Sequence, residues 1–142
     1  MRKLDATIRQ KIAAQDDVWV QEAHTLAQSL WESLEKGERK GGKVGQLRNI
    51  LEIAEASDSW AALELFIRYQ AARGQLGKRG RKWAKSTIEQ LGKLRNRAKQ
   101  LASQVKGADE KAVHMEIVSR VLGYAVRQHV WDVNVKGKED GQ

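Results

Sequence analysis

The sequence predicts an all-α protein, a single compact bundle of about five helices. Three observations carry this. There is no proline, the residue that breaks helix interiors. No β-branched run alternates with period two. Apolar residues recur instead at helical spacing along most of the chain. With 142 residues, 41% hydrophobic and 31% charged, the chain is large enough for one core and is expected to fold rather than stay disordered.

The elements follow in order. Leu4, Ile8 and Ile12 mark one side of a short first helix. Asp16 or Asp17 caps a long helix reaching about Glu35; its Trp19, Ala23, Leu26, Ala27, Leu30, Trp31 and Leu34 form one stripe. A glycine-rich break over 37–45 comes next. A helix from about Val44 to Ala56 buries Leu47, Ile50, Leu51 and Ala54. Ser57-Asp58-Ser59 caps a helix from Trp60 to Arg73. That helix is apolar nearly all round (Trp60, Leu63, Leu65, Phe66, Ile67, Tyr69), which places it at the bundle centre. After a second glycine loop, one long helix is expected from about Arg81 to Lys106. Trp83, Ile88, Leu91, Leu94, Ala98, Leu101 and Val105 share one arc, and Arg81, Lys82, Lys85, Lys93, Arg97 and Lys99 the opposite one. Gly107 stops it, and Asp109 starts a last helix to about Val130, also expected to be central. Residues 1–135 read as one domain and 136–142 as a fraying polar tail.

Several chemistries are excluded. The chain has no cysteine, so disulfides, thiolate metal sites and cysteine nucleophiles are absent, which suits a reducing cytoplasm. The stretch MRKLDATIRQKI has no apolar signal core, and no run reaches the roughly 18 apolar residues of a membrane span. GERKGGKV (37–44) matches the phosphate-loop pattern at Gly37, Gly42 and Lys43, but Val44 stands where a magnesium-binding hydroxyl belongs. The segment before it is helical rather than a strand. We read an interhelical loop that presents Lys36, Arg39, Lys40 and Lys43. His24, His114 and His129 are far apart in sequence, Glu110 and His114 alone do not make a zinc site, and all three are expected as ordinary surface or half-buried histidines. No cofactor and no catalytic group is expected.

The charge is more informative. Net charge is +8, yet residues 65–108 hold 12 Lys/Arg against one acid, Glu89, while residues 1–64 hold 9 bases and 11 acids. Such one-signed clustering usually faces phosphates or an acidic partner. Its densest part is RGQLGKRGRKWAK (73–85), where glycine allows close backbone approach to phosphate and arginine offers bidentate contacts. Trp83 within it could stack on a base, but its place on the apolar arc reads as core.

Three motifs, in order, carry a resemblance. GGKVGQLRNILE (41–52) resembles the small-residue, Lys, Leu-Arg-Asn/Lys signature of the small subunit of type III CRISPR–Cas effector complexes. LELFIRYQAARG (63–74) is similar to that family's apolar helix ending in Tyr-x-Ala-x-Arg, and MEIVSRVLGYAVRQH to its closing helix with a Tyr-Ala pair. The likeness covers about residues 40–130; the loop at 74–82 is richer in glycine and bases, and the helix at 16–36 longer, than in that family. The resemblance implies a structural, RNA-binding subunit that cuts nothing. Its partners would be the phosphate backbones of guide RNA and target RNA, other effector subunits, and copies of itself stacked head to tail. By matched position it points to Lys43, Arg48, Arg68 and Arg73 as phosphate contacts. Composition alone adds Lys78, Arg79, Arg81, Lys82 and Lys85. Helical pairing of Arg48 with Glu52, and of Arg68 with Glu64, is the plainer reading of two of these. A free-standing nucleic-acid binder, or a scaffold docking an acidic protein, fits the same charge.

Overall fold

The last long helix is the axis of the bundle. A computed structural model describes residues 2–139, with no strand among them. Helix α7 (Glu110–Trp131) starts at Asp109, whose carboxylate accepts from the Lys111 N–H at 3.0 Å. Its apolar residues cover most of its circumference, and Val113, Met115, Ile117, Val118, Val121, Leu122 and Ala125 are fully buried. Helices α2 (Asp16–Ser33), α3 (Val44–Ala56) and α6 (Arg95–Ser103) surround it, and α1 (Ala6–Ala13) rests on α6. Helices α4 (Trp60–Ala72) and α5 (Gly80–Lys93) pair on the flank, α4 also meeting α3 and α5 also meeting α2.

The expected centrality holds for α7 but not for α4. Leu63, Ile67 and Ala71 of α4 are buried, whereas Leu65 is 66% and Tyr69 54% exposed. Helix α7 already fills the centre, so α4 packs mainly on α3 and α5 and leaves one apolar side to solvent.

The single helix expected over 81–106 is broken at Leu94, where α5 ends and α6 begins. The cause is a side chain inserted into the hydrogen-bond ladder. His114 of α7 donates its Nε2–H to the Leu91 carbonyl at 2.9 Å, the oxygen a straight helix would offer to Arg95. The Leu94 N–H closes a tighter bond on the same carbonyl at 3.3 Å. Trp60 tilts against the imidazole, ring centroids 5.2 Å apart.

His129 does similar work at the other end of α7, donating Nε2–H to the Gly42 carbonyl. Both histidines are therefore core residues, not the surface or half-buried groups their spacing suggested; only His24 is exposed. The Gly42 contact also explains the glycine in GERKGGKV. Gly42 has φ +52°, and a Cβ there would lie 2.4 Å from Cγ2 of Val133, just past the end of α7, so the chain passes there too closely for a larger residue. Past Trp131 the chain continues through a π turn (Asp132–Lys136) and a short helical segment (Gly137–Glu139). The tail expected from 136 is thus helical as far as Glu139; its last three positions, 140–142, lie outside the described residues.

Arg2 closes the bundle from the other side. Its buried guanidinium donates to Asp58 at 2.6 Å, Glu116 at 3.1 Å, and the carbonyls of Ala54 at 2.6 Å and Ser57 at 2.9 Å. The end of α3, the α3–α4 linker and α7 are thereby tied to a single side chain.

Two outcomes follow from this packing. Gly42→Ala should lower unfolding free energy in urea by about 1–3 kcal/mol, through overlap with Val133 and left-handed backbone strain. Burial also pushes the imidazoles of His114 and His129 below their ordinary 6.5. The unfolded chain then binds protons more readily, so stability is full above about pH 6.5 and is lost as pH falls from there. The thermal midpoint should drop between pH 7.5 and 5, and His114→Gln with His129→Gln should flatten that dependence whatever it does to the midpoint itself.

Candidate nucleic-acid interface

Two loops meet at one end of the bundle: residues 34–43, between α2 and α3, and residues 73–79, between α4 and α5. Glu38 joins them. Its carboxylate accepts from the Glu35 N–H at 2.9 Å and from the Lys78 N–H at 3.0 Å. The bond from Glu35 holds the Glu38 carboxyl below its ordinary value, against partial burial, with help from the Lys78 N–H and from the charges of Lys43 and Lys78. Gly77, at φ +89°, makes the approach possible, since a Cβ there would sit 3.0 Å from both carboxylate oxygens. Lys78 Nζ reaches Glu35 at 3.5 Å, and Gln46 on α3 donates to Gln75 at 3.4 Å. The close approach that the glycine suggested for phosphate is thus made here by an internal carboxylate.

This junction brings Lys43, Lys78 and Arg79 to one end of the molecule. Lys43 has φ +62°, a left-handed conformation that non-glycine residues adopt at a cost of about 1 kcal/mol. At the end of α4, Arg73 lies over the Tyr69 ring, 5.2 Å from its centroid, so both are held as an exposed cation–π pair.

Helix α5 carries the remaining predicted bases on two sides. Arg81 and Lys85 face α4, where with Arg68 they border a groove of about 340 Å³. Arg79 and Lys82 border a second cleft, of about 320 Å³, against α2, shared with Glu32 and Ser29. All four of these bases are exposed, and among the described residues none is ion-paired. The first turn of α5 contains no acid. Cations there oppose the positive end of the helix dipole, so helix stability does not account for them.

Arg48 stands apart. It is exposed and does not pair with Glu52, but it lies about 200° round α3 from Gln46 at 3.6 residues per turn, facing away from the loop junction. Arg68 does pair with Glu64. Because Arg68 is 60% exposed in its side chain, the pair contributes only a few tenths of a kcal/mol, about 0.3–0.5. Trp83 is 2% exposed and donates Nε1–H to the Leu26 carbonyl at 3.3 Å, so it is core and closed to a base.

Sequence reasoning missed Glu38 as the junction and Tyr69 as an exposed ring. Nothing in the spacing marks Glu38, whose partners lie in another loop. Tyr69 was concealed by the all-round apolar pattern of α4. Among the described residues, no three His, Asp or Glu group as metal ligands, and no helix is long and apolar enough to cross a membrane. Comparison with known protein families, with curated proteins and with solved structures finds no match.

Glu38→Ala removes the acceptor for two backbone N–H groups. It should lower stability by about 1 kcal/mol and speed amide exchange at Lys78 and Glu35 more than in α7, as measured by hydrogen–deuterium exchange.

Proposed function

We propose that the chain is a non-catalytic subunit that holds RNA by its sugar–phosphate backbone, of the kind its sequence resembles: the small subunit of a type III CRISPR–Cas effector complex, acting in the cytoplasm. One observation carries the reading. Arg79, Arg81, Lys82 and Lys85 project from the start of one helix with no carboxylate in ion-pair contact among the described residues. With Lys43, Arg73 and Lys78 at the adjoining loops, they make one end and flank of the molecule cationic.

Phosphate is the ligand this arrangement suits. Flexible, separately mounted cations match a polyanion of regular charge spacing, and counterion release supplies affinity without reading sequence. A guide-programmed machine needs that property, because base pairing between guide and target does the reading. Weak binding by each copy is sufficient where copies stand in a row. Arg48, which faces elsewhere, is the weakest member of the set. The exposed Leu65 on the apolar side of α4 favours contact with a neighbouring subunit.

Fluorescence anisotropy with a labelled single-stranded RNA tests the binding. Affinity should fall steeply with salt, and Arg79→Ala with Lys82→Ala should reduce the salt slope by about 0.7 for each phosphate that is no longer neutralised. Helicity should be unchanged, since all the substituted side chains are exposed. Absence of RNA binding at low salt would remove the reading. Assignment to the effector complex is tested separately: a tagged chain recovered from its host should bring short guide RNA and other effector subunits with it. Recovery of the chain alone, still able to bind RNA, would leave a free-standing binder.

A further inference from the structure

The groove between α4 and α5 has an apolar inner wall that phosphate binding does not require. Ala71 and Ala72 of α4 face Ala84 and Ile88 of α5 across it. At three of these four positions no side chain extends beyond Cβ, so the two helix surfaces leave a slot where larger residues would have closed it. Arg81 and Lys85, four residues apart on one face of α5, stand at its exposed edge with Arg68 opposite.

A duplex offers phosphates to such cations but has nothing apolar to put between them. An unpaired nucleotide does: its base is flat and π-faced and hangs a short tether away from the phosphates on either side. We propose that the α4–α5 groove accepts one unpaired base of a single RNA strand, with Arg81 and Lys85 on the flanking phosphates. The volume, about 340 Å³, falls at the small end of the usual range for ligand sites, about 300–1,000 Å³. The alanine and isoleucine wall presents no hydrogen-bonding side chain to a base edge, so any base is tolerated. Tyr69, three residues before Ala72 on the same helix and held under Arg73, gives a neighbouring base a ring to stack on. An acidic amphipathic helix is the rival occupant. It would need anchors over at least two turns on both walls; the α5 wall runs two turns, Arg81 to Ile88, but the α4 wall is the single turn from Arg68 to Ala72, about 6 Å long.

This inference rests on the RNA-binding reading, and the test separates the two. The folded chain is titrated into a single-stranded RNA carrying one 2-aminopurine, and into a shorter blunt duplex carrying the same total number of phosphates. The single strand should bind about tenfold tighter, and 2-aminopurine emission should rise as the base leaves its neighbours. Ala72→Leu, a substitution at an exposed helical position that fills the slot, should abolish that preference and the emission change. Duplex affinity and salt slope should stay as they were, because the cations are untouched. Equal affinity for strand and duplex, unchanged emission, or an Ala72→Leu variant that binds the strand as before would overturn the base slot while leaving phosphate binding intact. Failure to bind either RNA would remove both readings. Tighter binding of an acidic amphipathic peptide, abolished in Ala72→Leu, would assign the groove to a protein segment instead.

Discussion

The carboxylate of Glu38 is the constraint on which the cationic end depends. An acid placed among lysines and arginines would ordinarily neutralise one of them. Here its two oxygens are occupied by the N–H groups of Glu35 and Lys78, so its charge serves to fasten backbone to backbone. The two loops are fixed to each other, and most of the neighbouring bases are left facing solvent. Charge-assisted bonds to backbone N–H groups are among the stronger hydrogen bonds, which is why one residue can order two segments 40 positions apart.

The division of labour among the helices follows from α7. A helix apolar on most of its sides must be enclosed, and α2, α3 and α6 enclose it. Its two buried histidines reach outward to the Leu91 and Gly42 carbonyls, bending the α5–α6 segment and pinning the first glycine loop. With the core satisfied by these contacts, α4 and α5 need bury only their inner faces. Their outer faces are free to carry groups that add nothing to stability: a half-exposed tyrosine, a slot walled by alanine, and bases at the wrong end of a helix dipole.

Much of this was legible in the residues. The glycine breaks, the Ser59 and Asp109 caps and the apolar spacing located α3, α4 and α7 nearly to the residue, because those signals are local. The errors arose where partners are remote. The bend at Leu94 is caused by His114, twenty residues along the chain, and nothing in GKLRNRAK announces it. The central place assigned to α4 failed because periodicity reports how much of a helix is apolar, not which of two apolar helices wins the core. The cluster of bases in 73–85 was visible as composition. That Arg79 and Lys82 face α2 while Arg81 and Lys85 face α4 follows from helix geometry once the neighbours are known. Arg48 could not have been separated from the rest without seeing where Gln46 points.

The Arg2 clamp bears on how the chain is made. Its guanidinium leaves the ribosome 114 residues before the Glu116 carboxylate that it meets. The Glu116 partner arrives only with the axial helix itself. The clamp is therefore a contact of high sequence separation, the kind whose loop-closure entropy must be met before it rewards folding, and it can close only after the axial helix has emerged, however early the local helices form.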